Sequence, residues 1–138
     1  MEHCCQLGSC CLSVRIKQIA RLAAYNTVLK AQETSLSVLK EGVKCSDVDK
    51  AARDVIKNAG YGEFFSHSTG HGIGLFIHER PTVSSNAKGV KLRAGQVISN
   101  EPGIYLPKKF GVRIEDMLFI TKNGCKNVTK APKDLIIL

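Results

Sequence analysis

The chain has little with which to cross a membrane, stack on bases or hold a disulfide framework. In its 138 residues no apolar run approaches the ~20 residues that a spanning helix needs. The closing Asp134-Leu135-Ile136-Ile137-Leu138 is far too short. Glu2, His3 and Gln6 interrupt the N-terminus before an apolar core of signal-peptide length can form, so a cytoplasmic location and no membrane partner are expected. Aromatic residues are only 6% of the chain, with no tryptophan. No repeat or low-complexity stretch stands out.

Acidic residues are also scarce, 12 against 20 basic ones, for a formal charge of +8. The lysines of the second half (Lys88, Lys91, Lys108, Lys109, Lys122, Lys126, Lys130, Lys133) are scattered over expected turns. They form no block and are not interleaved with aromatics, as a single-strand stacking groove requires. Basic solubility with some non-specific polyanion affinity follows, and no nucleic-acid partner is expected. What is present, 43% hydrophobic and 23% charged residues, is the composition of one soluble globular domain able to bury its own core. Of the six cysteines, four crowd into Cys4-Cys5 and Cys10-Cys11, beside His3. Without a secreted context and without a matching later pair, this reads as a reduced, poorly ordered leader over residues 1–13 rather than a zinc or disulfide site.

Residues 14–41 read as one long helix, with Ile16, Ile19, Leu22, Ala23, Leu29, Leu36 and Leu39 at near-helical spacing and Gly42 as a stop. A second helix opens at Ser46, whose hydroxyl is placed to cap the turn while Asp49 reaches back. Val48, Ala51, Ala52, Val55, Ile56 and Ala59 form its apolar face, and Gly60 ends it. After Tyr61 the period becomes alternating. Phe64–Ile77 is Gly-rich and extended, Gln96–Glu101 alternates, and Val112–Thr121 reads as a strand closed by an Asn123-Gly124 hairpin turn, with Val128 beginning the return. Helices and strands in separate blocks predict an α+β fold, two helices packed on a curved antiparallel sheet with the site in its concave face.

The densest stretch for chemistry is His67-Ser68-Thr69-Gly70-His71-Gly72-Ile73-Gly74, followed by His78-Glu79. Read as a strand, it puts His67, Thr69, His71, Ile73 and Leu75 on one face, and Gly70, Gly72 and Gly74 on the other, where a second backbone can approach. His67 and His71 would lie about 13 Å apart, so one can be a ligand while the other lines the cleft. Taken alone, such histidines also fit a packed or exposed position near a turn. Pro102 ends the ladder after Glu101 and lets its carboxylate face a cleft. Gly111-Val112-Arg113-Ile114-Glu115-Asp116 sets Arg113 and Glu115 on one face of an apolar strand, where a carboxylate needs a metal or an ion-pair partner such as Arg113.

In this order, Gly-His-Gly-Ile-Gly around His71, His78-Glu79 with Pro81, Glu101-Pro102-Gly103-Ile104-Tyr105 and Gly-Val-Arg-Ile-Glu-Asp, the segments resemble the pita-bread metallopeptidases of family M24. Residues 26–134 carry the resemblance, and His67 with Gly-Val-Arg-Ile-Glu-Asp places it nearer the aminopeptidase P and Xaa-Pro dipeptidase branch. It implies that residues 14–138 are the C-terminal part of a pita-bread catalytic domain. It further implies that His71, Glu101 and Glu115 are metal ligands, with Glu115 bridging two ions. His67 and His78 would contact substrate and stabilise the tetrahedral intermediate, Glu101 would move the proton, and Arg113 would orient Glu115. Imidazole and carboxylate donors suit Mn²⁺, Co²⁺, Zn²⁺ or Fe²⁺. The substrate implied is a peptide with proline second.

The family's pattern has two further aspartate ligands before the helices. Met1–Ser13 stands there and contains no aspartate. Two glutamates and a neutral histidine carry −2, which balances one divalent ion rather than two. The chain is therefore expected to hold one ion at most by itself, and to need a complementing chain or a homo-oligomer for full activity. The alternatives are a non-catalytic pita-bread-like module binding protein or RNA, and a cysteine-based metal or redox protein resting on the leader.

Overall fold

The computed structural model describes residues 5–135, with side chains from Gln18 onward. The leader cysteines and the end of the apolar C-terminal run lie outside the described side chains. Two α-helices, α1 (Cys5–Val38) and α2 (Cys45–Asn58), precede a short 3₁₀ turn (Gly62–Phe64). Seven strands follow: β1 (Gly70–Gly72), β2 (Glu79–Val83), β3 (Val97–Asn100), β4 (Gly103–Leu106), β5 (Phe110–Arg113), β6 (Asp116–Ile120) and β7 (Cys125–Asn127). Every pairing is antiparallel, in a five-stranded sheet ordered β2-β1-β3-β6-β7 and a separate β4-β5 hairpin. The expected α+β class is the one observed.

The buried face of α1 is the expected one in its second half, where Leu29 and Leu36 pack against the core, but not in its first. Ile19 and Leu22 are exposed, whereas Ala24, Val28, Ala31, Gln32 and Ser35 are fully buried. Their spacing is helical, but the residues are small or polar, because α1 lies against α2 and the sheet at close range. Ser35 donates to Asn100 Oδ1 at 2.9 Å and the Asn100 amide donates to the Gln32 carbonyl at 3.2 Å, so the helix reads the end of β3 by hydrogen bonds as well as by packing. The backbone of α1 runs from Cys5, inside the expected leader, and stops at Val38.

In α2 the expected apolar face is confirmed at Val48, Ala52 and Ile56, all buried. The expected cap is not. Lys44 occupies the N-cap with no side-chain cap bond, Ser46 bonds only its neighbour Asp47, at 3.4 Å, and Asp49 is turned inward, fully buried. Two apolar clusters result. One joins Leu39, Cys45 and Val48 to Val83, Leu92, Ile98, Leu118 and Ile120 beneath the large sheet. The other joins Val28, Ala31, Ala52 and Ile56 to Phe65, Ile104 and Ile114 beneath the hairpin.

The stretch Val112–Thr121, expected as one strand, breaks at Ile114-Glu115. β5 pairs with β4, whereas β6 pairs with β3 and β7. The hairpin after β6 is present, with Thr121 bonded to the Gly124 carbonyl across the turn. Its return begins at Cys125, before Val128.

The extended reading of Phe64–Ile77 shrinks to the three residues of β1, and β2 was not foreseen. The glycine argument holds where strands meet. A Cβ on Gly70 would collide with the Ser99 carbonyl and one on Gly72 with the Arg80 carbonyl, so both positions demand a bare backbone. Gly70→Ala is expected to cost about 1–3 kcal/mol, as overpacking does, read as a lower urea midpoint at unchanged slope. An unchanged midpoint would contradict the close approach.

Candidate metal and peptidase site

β1, the end of β3 and the β4-β5 hairpin bring the candidate residues together. His71 sits on β1 where the register shifts before Gly72. Its Nδ1 lies 2.9 Å from the Gly72 carbonyl. A carbonyl only accepts, so Nδ1 carries a proton and Nε2 is the ring atom left for a second proton or a metal. Nε2 faces Glu101 Oε1 at 3.1 Å.

Glu101 follows β3 directly and is 8% exposed. As expected, the ladder ends before Pro102. The Glu101 amide donates to the Thr69 carbonyl at 2.7 Å. Oε1 accepts from Ser99 Oγ at 3.0 Å, and Oε2 lies 3.4 Å from the Arg113 guanidinium. Ser99 Oγ also accepts from the His71 amide at 3.0 Å, so one buried hydroxyl fixes the two residues relative to each other.

His67 and His71 have different surroundings. His67 Nδ1 is 2.8 Å from the Ser68 carbonyl, leaving Nε2 to accept from the Tyr105 hydroxyl at 2.9 Å. The same hydroxyl accepts from Arg113 Nε at 2.6 Å. His67, Tyr105, Arg113, Glu101 and His71 thus form one continuous polar chain. Partial desolvation opposes the charge on Arg113, but the Tyr105 hydrogen bond and the fields of Tyr105, Glu101 and Glu115 prevail and raise its pKa. The guanidinium is a fixed positive charge at the carboxylate.

His78 lies in the loop after β1, with its ring 4.3 Å from that of His71. The loop exposes Leu75, Phe76 and Ile77, at 99%, 74% and 76%. This overturns the expected common face of Leu75 with Thr69, which is fully buried. The shift of register after His71 ends the alternation.

Glu115 is not brought in. It is exposed at the β5-β6 break and makes no ion pair with Arg113, which turns to Glu101 instead. Among the described residues no three of His, Cys, Asp and Glu gather tightly enough to hold a metal. Asp116 points the other way and is fully buried, held by Gln32, Asn127 and Lys133.

The donor set still fits a cation. Nε2 of His71 and an oxygen of Glu101 face each other across 3.1 Å, a contact that a proton on Nε2 satisfies and whose two donor atoms a metal could share instead. Thiol chemistry finds no support among the described side chains. Burial pushes the Cys45 thiol up, and burial with the Asp116 charge pushes up that of Cys125, the reverse of a thiolate nucleophile.

The motifs did not disclose the support beneath the site. Asp49 on α2 accepts from Arg53 through both oxygens, at 2.9 and 3.0 Å. It also accepts from the Thr69 amide at 3.1 Å and hydroxyl at 2.8 Å. Arg53 then donates to the carbonyls of Phe65 and His67, each at 2.9 Å, and stacks on the Phe65 ring at 4.2 Å. The Asp-x-x-x-Arg spacing of an i, i+4 helix pair was the available signal.

The sequence profile of metallopeptidase family M24 matches residues 7–122. An Xaa-Pro dipeptidase of Pyrococcus horikoshii is 51% identical over 112 residues, which are 81% of this chain and 32% of that protein. Among solved structures, an X-Pro aminopeptidase of Thermotoga maritima superposes with a TM-score of 0.80 at 43% identity, over 83% of this chain and 32% of that one. An Xaa-Pro dipeptidase of Bacillus anthracis gives 0.81 at 47%, again over 83% and 32%. The chain therefore spans about a third of the length of the relatives it matches.

Proposed function

The chain belongs to metallopeptidase family M24, with part of the pita-bread fold, and from that premise we propose that it is the C-terminal part of a metal-dependent peptidase acting on the N-terminal bond of Xaa-Pro peptides. The observation that carries the proposal is the pair His71 and Glu101, held 3.1 Å apart with Nε2 of the imidazole toward the carboxylate. His71 and Glu101 would hold a divalent ion, Mn²⁺, Co²⁺, Zn²⁺ or Fe²⁺ by the nature of the donors, and Glu115 would join them by turning inward. When bound, such an ion supplies a polarised carbonyl and a water of lowered pKa.

The protein's own groups account for the rest. Glu101 is placed to take a proton from the attacking water and return it to the leaving amine. Ser99 and Arg113 orient its two oxygens. His78, exposed beside His71, is placed to donate to the developing oxyanion. His67 lines the cleft with its ring fixed by Tyr105.

A second chain, whether a complementing fragment or another copy, is part of the same proposal. One histidine and two glutamates balance a single divalent ion. The exposed Ile19 and Leu22 on α1, the 75–77 loop beside His78, and Met117 and Phe119 on the sheet offer it apolar surface. The family profile begins at residue 7 and α1 at Cys5, so the family domain is proposed to reach back into the cysteine-rich segment rather than to begin near residue 14.

The test is hydrolysis of Xaa-Pro dipeptides and Xaa-Pro-Xaa tripeptides with Mn²⁺ or Co²⁺, by the chain alone and co-expressed with the N-terminal two thirds of a relative. Cleavage at Xaa-Pro in the complemented sample is the expected result. Release of N-terminal methionine with Xaa-Pro peptides spared would move the chain to another branch of the family.

A further inference from the structure

Residues 80–96 close around a cavity of about 530 Å³ that contains none of the site residues above. One wall is β2, an edge of the large sheet, which contributes Arg80 and Thr82. The other is the loop that follows, with Asn86, Lys88, Lys91 and Arg93. The lining has four cationic side chains and no acidic one.

Lys50, Arg53, Arg113 and Lys133 are each paired with a carboxylate, whereas none of the four around the cleft is. What separates these four from other unpaired cations, such as Lys122 and Lys126, is that they share one lining. Glu41 accepts from the Ala94 amide at 3.2 Å but pairs with none of them. Lys91 forms an antiparallel bridge with Lys44, placing a fifth like charge directly opposite, an arrangement that destabilises a strand pair. Scattered surface lysines need no counter-ion beyond solvent. Here the backbone is pinned: the Cys45 amide donates to the Val90 carbonyl and the Leu92 amide to the Val43 carbonyl, each at 2.9 Å, and the Arg93 amide donates to Gln96 Oε1 at 2.8 Å. The lysine and arginine side chains of this loop therefore spring from fixed points around the cleft.

We propose that this cleft binds a condensed phosphate, a ligand with at least two linked phosphoryl groups, through Arg80, Lys88, Lys91 and Arg93. The charge count selects the class. A carboxylate offsets one of the four cations, whereas a diphosphate brings about −3 to −4 if each phosphoryl group carries roughly −1.5 to −2. Arginine forks suit the planar pairs of phosphate oxygens and lysines act as point charges around them. Thr82 and Asn86 add neutral donors.

Inorganic pyrophosphate is the probe, titrated calorimetrically into the full chain at two salt concentrations. A saturable one-to-one isotherm is expected, weakened at least about tenfold in Lys91→Glu/Arg93→Glu by the loss of two charge-assisted contacts. The control is Lys122→Glu/Lys126→Glu, with the same change of net charge on the exposed β6-β7 hairpin, and it should bind as the parent does. All four side chains are exposed, and thermal melts of both variants confirm that each remains folded. ADP run in parallel distinguishes the source: equal affinity assigns the site to free condensed phosphate, tighter ADP to a nucleotide, and either supports the cleft. Absence of saturation, or equal weakening in both variants, overturns it, as does binding of single-stranded RNA that grows with length and ignores the cleft substitutions.

Discussion

Asp49→Ala is expected to cost about 3–5 kcal/mol of folding stability, the usual result of breaking a buried ion pair from one side. The carboxylate is fully buried, and four donor groups converge on it: two guanidinium nitrogens of Arg53, and the amide and hydroxyl of Thr69. Removing it strands the Thr69 donors in the interior and leaves Arg53 without its counter-charge, while Arg53 remains tied to the carbonyls of Phe65 and His67. A loss of that size approaches the whole stability of a small domain. Urea unfolding with a fluorescent dye or circular dichroism measures it, and Asp49→Asn should fall between the two, since one acceptor survives. The segment held by this network carries His67 and leads into His71, so the same substitution should also blunt ion uptake at the site. A loss below about 1 kcal/mol, in the range of an exposed pair, would mean that the network is ornamental.

How much of this was legible beforehand depends on whether a residue's partner is near in sequence. Helix α2 was readable because Val48, Ala52 and Ile56 repeat at helical spacing and the burial follows. The face of α1 was readable only in part, because what decides the rest is the depth at which Ala24 and Ala31 let neighbouring elements approach, and the polar contacts of Gln32 and Ser35 with β3. Apolar counting pointed instead to Ile19 and Leu22, which are exposed. The strand over Val112–Thr121 kept one alternation throughout, yet its two halves belong to different sheets, a choice made by β4 on one side and β3 and β7 on the other. Nothing inside the segment announces the break.

The site divides in the same way. His71 and Glu101 were recognisable from the motifs around them, and they meet. Ser99, Tyr105 and the Asp49-Arg53-Thr69 network are ordinary polar residues in sequence, and their meaning comes from partners 12 to 38 residues away, such as His71 for Ser99 and His67 for Tyr105. Glu115 was placed by its motif, but it is exposed at the break between β5 and β6, outside the pair that His71 and Glu101 form.

That last point sets the expectation for metal. The chain by itself should take up a single divalent ion, weakly, through His71 and Glu101, with Glu115 drawn in as the third donor. Calorimetric titration with Mn²⁺ or Co²⁺ gives the stoichiometry. Glu101→Ala should abolish uptake, because it removes the oxygen that His71 faces. Glu115→Ala should weaken it by about tenfold to a hundredfold, an effect of the size seen when a supporting group is lost. Loss of signal on adding a chelator, and its return with fresh ion, separates binding from unfolding. Turnover of Xaa-Pro peptides by the isolated chain should be slight, since Met1–Ser13 brings no aspartate to hold a second ion or the substrate's free amine. Each ~1.4 kcal/mol of missing transition-state stabilisation is a further factor of ten, and several contacts are absent at once. Activity should return when a second chain supplies the missing carboxylates. Two tight ions per chain, or brisk Xaa-Pro hydrolysis without a partner, would show that another group in this chain completes the site.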